Sequence, residues 1–113
     1  MTSTTTIALP IYLPLDGQRF AHNRTLLRTA LNAGWISVTY RKADGTTVER
    51  MATCNPTIIG AFGTRYEVDA VRDYDEYDPN IVYFDHSAGT LRSFRVDSVI
   101  NACIPFAPPE INH

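Results

Sequence analysis

Apolar residues recur at every second position near the start of the chain, at Ile7, Leu9, Ile11, Leu13 and Leu15. This is the period of a half-buried strand, but Pro10 and Pro14 remove two ladder donors, so residues 1–15 read as an edge strand or an extended arm. The period then changes. From about Gln18 to Ala33 the residues Phe20, Leu27, Ala30 and Leu31 fall on one helical face. Asp16 is the candidate N-cap of this helix, and Gly34 stands where a left-handed C-terminal residue is wanted. Arg24 and Arg28 lie one turn apart and share a face, a mild repulsion that solvent tolerates and that is useful beside an anion.

Strand periodicity returns at Trp35. Ile36, Val38 and Tyr40 alternate with Ser37, Thr39 and Arg41, and Asp44-Gly45 supplies a hairpin turn because glycine accepts φ > 0 without steric cost. The second strand of this hairpin runs toward Thr53, where Asn55-Pro56 breaks it. Residues from about Gly60 to Asn80 show neither period and read as a long loop holding the acidic stretch Asp73 to Asp78. A second hairpin follows, Ile81 to Asp85 and Thr90 to Val96 around His86-Ser-Ala-Gly89. Its two-residue period places Leu91, Ser93 and Arg95 on one side and Arg92, Phe94 and Val96 on the other. Pro105, Pro108 and Pro109 make the tail extended. Sequential hairpins behind one helix predict a mainly β chain, folded as a small barrel that closes its own edges. The expected division is an arm (1–15), a helix (16–34), the barrel (35–104) and a tail (105–113), forming one domain.

Composition narrows the functional classes. Apolar residues make up 44% and charged residues 19%, as in an ordinary globular chain. No apolar run is long enough to cross a membrane and the N-terminus has no secretory pattern, so a cytoplasmic protein is expected. Cys54 and Cys103 have no Cys or His at ligand spacing, and His22, His86 and His113 are scattered, so both cysteines are expected as buried reduced thiols and no metal is expected. No cofactor is expected either. Gly60 to Gly63 is too short and isolated for a phosphate loop, and Asp73, Asp75, Glu76 and Asp78 lack the glycine and terminal glutamate of a calcium-binding loop. With no nucleophile and base pairing in view, the chain is expected to bind and not to catalyse.

The net charge of −2 conceals an asymmetry. Between Arg19 and Arg65 seven basic residues face two acids, whereas between Tyr66 and Asp85 seven acids face one arginine. Nine of the ten basic residues are arginine, whose planar fork pairs with phosphate or carboxylate and stacks on rings.

Two stretches resemble a known family. Leu31 to Thr46, with Met51 and Thr53-Cys-Asn-Pro56 after it, and the closing stretch Phe84 to Val99 are similar to a family of small proteins, mostly from bacteriophages. These are relatives of the WYL domain with a Sm-like SH3 β-barrel, and the Arg-x-Phe-Arg-hydrophobic-Asp pattern of Arg92 to Asp97 recurs in WYL domains proper. The resemblance implies an SH3-like or Sm-like barrel with one N-terminal helix, and places Arg92 and Arg95 at the family's basic pocket positions. WYL domains are regarded as ligand-sensing modules of bacterial regulators, with nucleic acid or nucleotides as proposed ligands. Two departures stand against a direct transfer of ligand. Pro79-Asn80-Ile81 occupies the place of the Trp-Tyr-Leu triplet, and Ser98 replaces the Arg that usually follows the Asp.

Two functions from different classes follow. In the first, Arg92, Arg95 and Arg41 with the ring of Tyr40 form a site for nucleic acid or nucleotide, in a phage-type accessory module with a regulatory or counter-defence role. In the second, Asp73, Tyr74, Asp75, Glu76, Tyr77 and Asp78 occupy a basic surface of a host protein and inhibit it. One of Arg92 and Arg95 is expected to pair with Asp85 or Asp97, and Trp35 is expected in the core. Association into a homo-oligomer through strand edges is left open.

Overall fold

A computed structural model describes residues 6–11, 17–63 and 65–105. In chain order these form β1 (Thr6–Ala8), α1 (Gly17–Ala33), β2 (Ile36–Arg41), β3 (Thr47–Thr53), α2 (Pro56–Phe62), α3 (Arg65–Ala70), β4 (Asn80–Asp85), β5 (Thr90–Arg95) and β6 (Val99–Pro105), with a 3-10 turn (Val96–Ser98) before β6. The six strands make one antiparallel sheet in the order β1-β6-β2-β3-β4-β5. Mainly antiparallel strands wrapped behind one long helix are the architecture expected of an SH3-like barrel.

Register assigns each side chain to a face. Val38 lies opposite Arg50 and Tyr40 opposite Val48 across β2 and β3, Ala52 opposite Asp85 across β3 and β4, and Tyr83 opposite Arg92 across β4 and β5. Residues directly opposed on neighbouring strands share a face, so Ile36, Val38, Tyr40, Tyr83 and Phe94 line the same inner surface as Arg50, Asp85 and Arg92. The apolar members are buried. Tyr40 stacks on Phe94, which tilts against Tyr83, and the Tyr40 and Tyr83 hydroxyls share a hydrogen bond of 2.9 Å. Burial and then that bond raise the Tyr83 phenol above its ordinary value, so it stays neutral. Trp35 is in the core as expected, with Phe62, Phe84 and His86 in a second ring cluster that fixes α2 to the sheet.

Both hairpins turn where glycine is needed. Gly45 has φ 92 and Gly89 φ 65, the two residues of positive φ among those described. Asp44 Oδ1 accepts from the N–H and the hydroxyl of Thr46 across the first turn, and these bonds hold its carboxyl below the usual range. Asp85 serves the second turn, accepting from the N–H groups of Ser87 and Ala88.

Several sequence expectations are corrected. Gly34 is not left-handed, because the carbonyls at the end of α1 and of Gly34 itself find donors elsewhere: Cys54 N–H donates to Leu31 O, the Thr53 hydroxyl to Gly34 O, and Asn55 Nδ2 to Asn32 O. Asn55-Pro56 ends β3 and also starts a helix, with Asn55 Oδ1 accepting from Ile58 N–H and Pro56 at the first helical position. The long loop read between Gly60 and Asn80 is therefore interrupted, since 60–62 end α2 and 65–70 form α3, leaving 71–79 without helix or strand. The ladder continues into β6 as far as Pro105, opposite Thr6 of β1. The edge-strand reading of the N-terminus holds for Thr6–Ala8, while Asp16 and the tail beyond Pro105 lie outside the described residues. Cys54 is buried, but Cys103 is only half-buried. Ala102 takes the inner position of β6 and Cys103 faces outward, opposite Ser37.

Candidate functional site

β5 is the outer strand of the sheet, and a groove of about 560 Å³ runs beside it. One wall is the end of β2 and its turn (Tyr40 to Ala43), and the other is Leu91 to Arg95, with Asn80 and Ser98 closing the ends. Three of the predicted ligand arginines, Arg41, Arg92 and Arg95, thus come together, joined by Lys42, which the sequence reading passed over. A second hollow of about 390 Å³ shares Arg41, Lys42 and Ser98 with it and is otherwise lined by Asp97, Val99 and Ile100. The two adjoin as a trough with four basic residues and one acid along it.

Arg92 is the best-built member. Its Nε lies 2.8 Å from Asp85 Oδ2, and Asp85 is 1% exposed while the Arg92 side chain is 44% exposed. A carboxylate removed from water must be paired, and Asp85 meets that need with Arg92, with Arg50 at 3.7 Å and with two backbone N–H groups. The root of the Arg92 guanidinium is thereby held while the head lines the groove. Arg95 is held differently, by paired bonds of 3.0 and 3.1 Å to Asp97 at the surface, and that contact raises it above its ordinary value. Both arginines are ion-paired, where one such pair was expected. Arg92 and Arg95 have opposite parity, but an edge strand that leads at once into a 3-10 turn lets both reach one groove.

Tyr40 requires a correction. It lines the groove floor, but it is only 7% exposed and its hydroxyl is committed to Tyr83. Even parity along β2 puts it inside the barrel, so its face packs on Phe94 and does not form an open stacking platform.

The acidic segment is also built differently from the free loop that its composition suggests. Arg24, 5% exposed on α1, donates to both Asp73 oxygens at 2.7 and 3.2 Å and to the carbonyls of Asp75 and Asp78. The charge-assisted bond holds Asp73 below, and Arg24 above, its ordinary value. Asp75 and Asp78 each accept a backbone N–H two residues on, from Tyr77 and Asn80. Asp73 therefore anchors the segment to α1 while staying partly exposed, and all of 73–78 is exposed, the two tyrosines at 79% and 80%. Among the described residues no cluster of His, Cys, Asp or Glu is placed to hold a metal ion, and no helix is long and apolar enough to cross a membrane.

A helix followed by a six-stranded antiparallel sheet, with a 3-10 turn before the last strand, is the arrangement of a Sm-like SH3 barrel. Residues 25–100 match the family described as WYL_2, Sm-like SH3 beta-barrel fold, and the chain belongs to that family. No curated protein and no solved structure matches it.

Proposed function

We propose that this protein is a nucleic-acid-binding module and not an enzyme, and that the trough beside β5 holds the phosphate backbone of a single strand. The observation that carries this reading is the Asp85 to Arg92 pair, which fixes one guanidinium in a groove where Arg41, Lys42 and Arg95 also converge. Preorganised arginine suits phosphate, since the entropy of orienting the side chain is spent during folding. The continuation of the groove past Arg41 and Lys42 favours an extended ligand over a single nucleotide. With Tyr40 inside the barrel, affinity rests on phosphate contacts more than on base stacking. A module of this kind suits an accessory or regulatory role in the cytoplasm of a phage-infected cell. The test is titration of a fluorescent oligonucleotide at several salt concentrations. Binding at low salt that weakens steeply with added salt supports the reading, and no binding at low salt removes it.

A second reading has its own observation. Tyr74 and Tyr77 are exposed beside Glu76 in a segment that Arg24 holds in shape, which suits a basic protein surface. Co-purification of one host protein, insensitive to nuclease and lost in a Tyr74→Ala/Tyr77→Ala variant, would favour it.

A further inference from the structure

Arg24 and Arg28 stand one turn apart on α1 and are both at least nine-tenths buried, yet they are satisfied very differently. Arg24 has four acceptors, two of them carboxylate oxygens. Arg28 has one among the described residues, the neutral carbonyl of Val71, and its buried Nε has none. A buried cation without an anion is costly, and neighbouring carboxylates usually meet the need. Here they are committed elsewhere. Asp73 gives both oxygens to Arg24, so Arg28 feels its charge without donating a hydrogen bond to it, and Asp69 pairs with Arg65 and Arg72 at the surface.

Arg28 borders a cavity of about 500 Å³ between α1, α2 and the stretch from Val68 to Tyr74. That volume is in the range of small-molecule sites. Arg72 and Asn32 add a cation and an amide to its wall, Val68 and Val71 add apolar surface, and Asp73 borders it with a carboxylate whose two oxygens are bonded to Arg24. Cys54 also faces it, but burial pushes its thiol up to about 11 and its Sγ–H donates to Val82 O, so it contributes surface and not a nucleophile.

We propose that this cavity is a second binding site, separate from the trough beside β5, and that it takes a small organic anion. The carboxylate or phosphate head meets Arg28 and Arg72, and a compact apolar body lies against Val68 and Val71. The anion supplies Arg28 with the charged acceptor that Arg24 obtains from Asp73.

The test is an amide chemical-shift titration of the full chain with benzoate and with phenyl phosphate, against sodium chloride at matched ionic strength. Saturable shifts centred on Asn32, Val71, Arg72 and Tyr74, retained in the Arg92→Ala/Arg95→Ala variant, are expected. Arg28→Gln should weaken binding about tenfold or more, and Arg72→Ala should weaken it about threefold. Should Arg28→Gln fail to fold, the shift map and Arg72→Ala decide. The proposal is overturned by the absence of saturable shifts with both probes, by shifts centred on Ser93 and Arg95 that vanish in the trough variant, or by a folded Arg28→Gln that binds as the parent does.

Discussion

The carboxylate of Asp85, inside the barrel, lies 2.8 Å from the Nε of Arg92 on the outer strand, so a buried acid orients a cation that faces the groove. Asp85 also closes the turn that joins the two strands, through the N–H groups of Ser87 and Ala88. One residue therefore couples the fold of β4 and β5 to the placement of the groove-lining arginine.

Asp85→Asn keeps the size of the side chain but removes its charge, leaving Arg92 and Arg50 without their counter-ion. Both arginines reach solvent in part, so the loss should be smaller than for a fully buried pair, about 2 kcal/mol in urea unfolding. At a temperature where the variant is folded, its affinity for a single-stranded oligonucleotide should fall, although Asp85 is too deep to touch the ligand. Unchanged affinity in the folded variant would mean that Arg92 needs no positioning.

Salt dependence separates phosphate contacts from structural ones. Arg41→Ala and Arg92→Ala should each reduce the slope of log affinity against log salt by about 0.7, the release expected for one phosphate of a single strand. Arg41 is exposed and should change binding with little effect on stability, whereas Arg92→Ala should also lower the melting temperature because it strands Asp85. An Arg41→Ala protein with the parent's slope would take that residue out of the site.

Much of this was legible in the residues. The two hairpins follow from alternation at Ile36, Val38 and Tyr40 and from glycines at the turns, and Gly45 and Gly89 do carry positive φ. Arg41, Arg92 and Arg95 were readable as a group because the family resemblance placed Arg92 and Arg95 at basic pocket positions and Arg41 lies on the neighbouring hairpin. The helices α2 and α3 were missed because seven- and six-residue elements give little periodicity, and because Asn55-Pro56 signals a helix start as well as a strand end. The burial of Tyr40 was implicit in its parity with Ile36 and Val38. The Arg24 to Asp73 clamp spans 49 positions, and no local pattern encodes a contact of that kind.

Gly45→Val tests the first hairpin. At φ 92 a β-branched residue is strained even though open space surrounds the position, so the cost is conformational and should be about 1 kcal/mol or more. Gly45→Asn, which tolerates positive φ, should recover most of it. Equal melting temperatures for the valine variant and the parent would contradict the turn.

Acid should loosen the acidic segment before it unfolds the barrel. Arg24 holds the Asp73 carboxyl below its ordinary value, so the folded protein binds fewer protons there than the unfolded chain does. The contribution of the pair is complete above the ordinary aspartate range and is lost as pH falls through the lowered folded value. At neutral pH Asp73→Asn should therefore be less stable than the parent by about 2 kcal/mol, because Arg24 keeps its carbonyl acceptors but loses its charged one. The difference between the two proteins should shrink from about pH 5 downward and nearly vanish once Asp73 is protonated in both states. Hydrogen exchange should show the same order, with the amides of 71–79 losing protection at a higher pH than those of β2 and β6. A stability gap that stays constant down to pH 2 would show that the carboxylate charge does not hold this segment against α1.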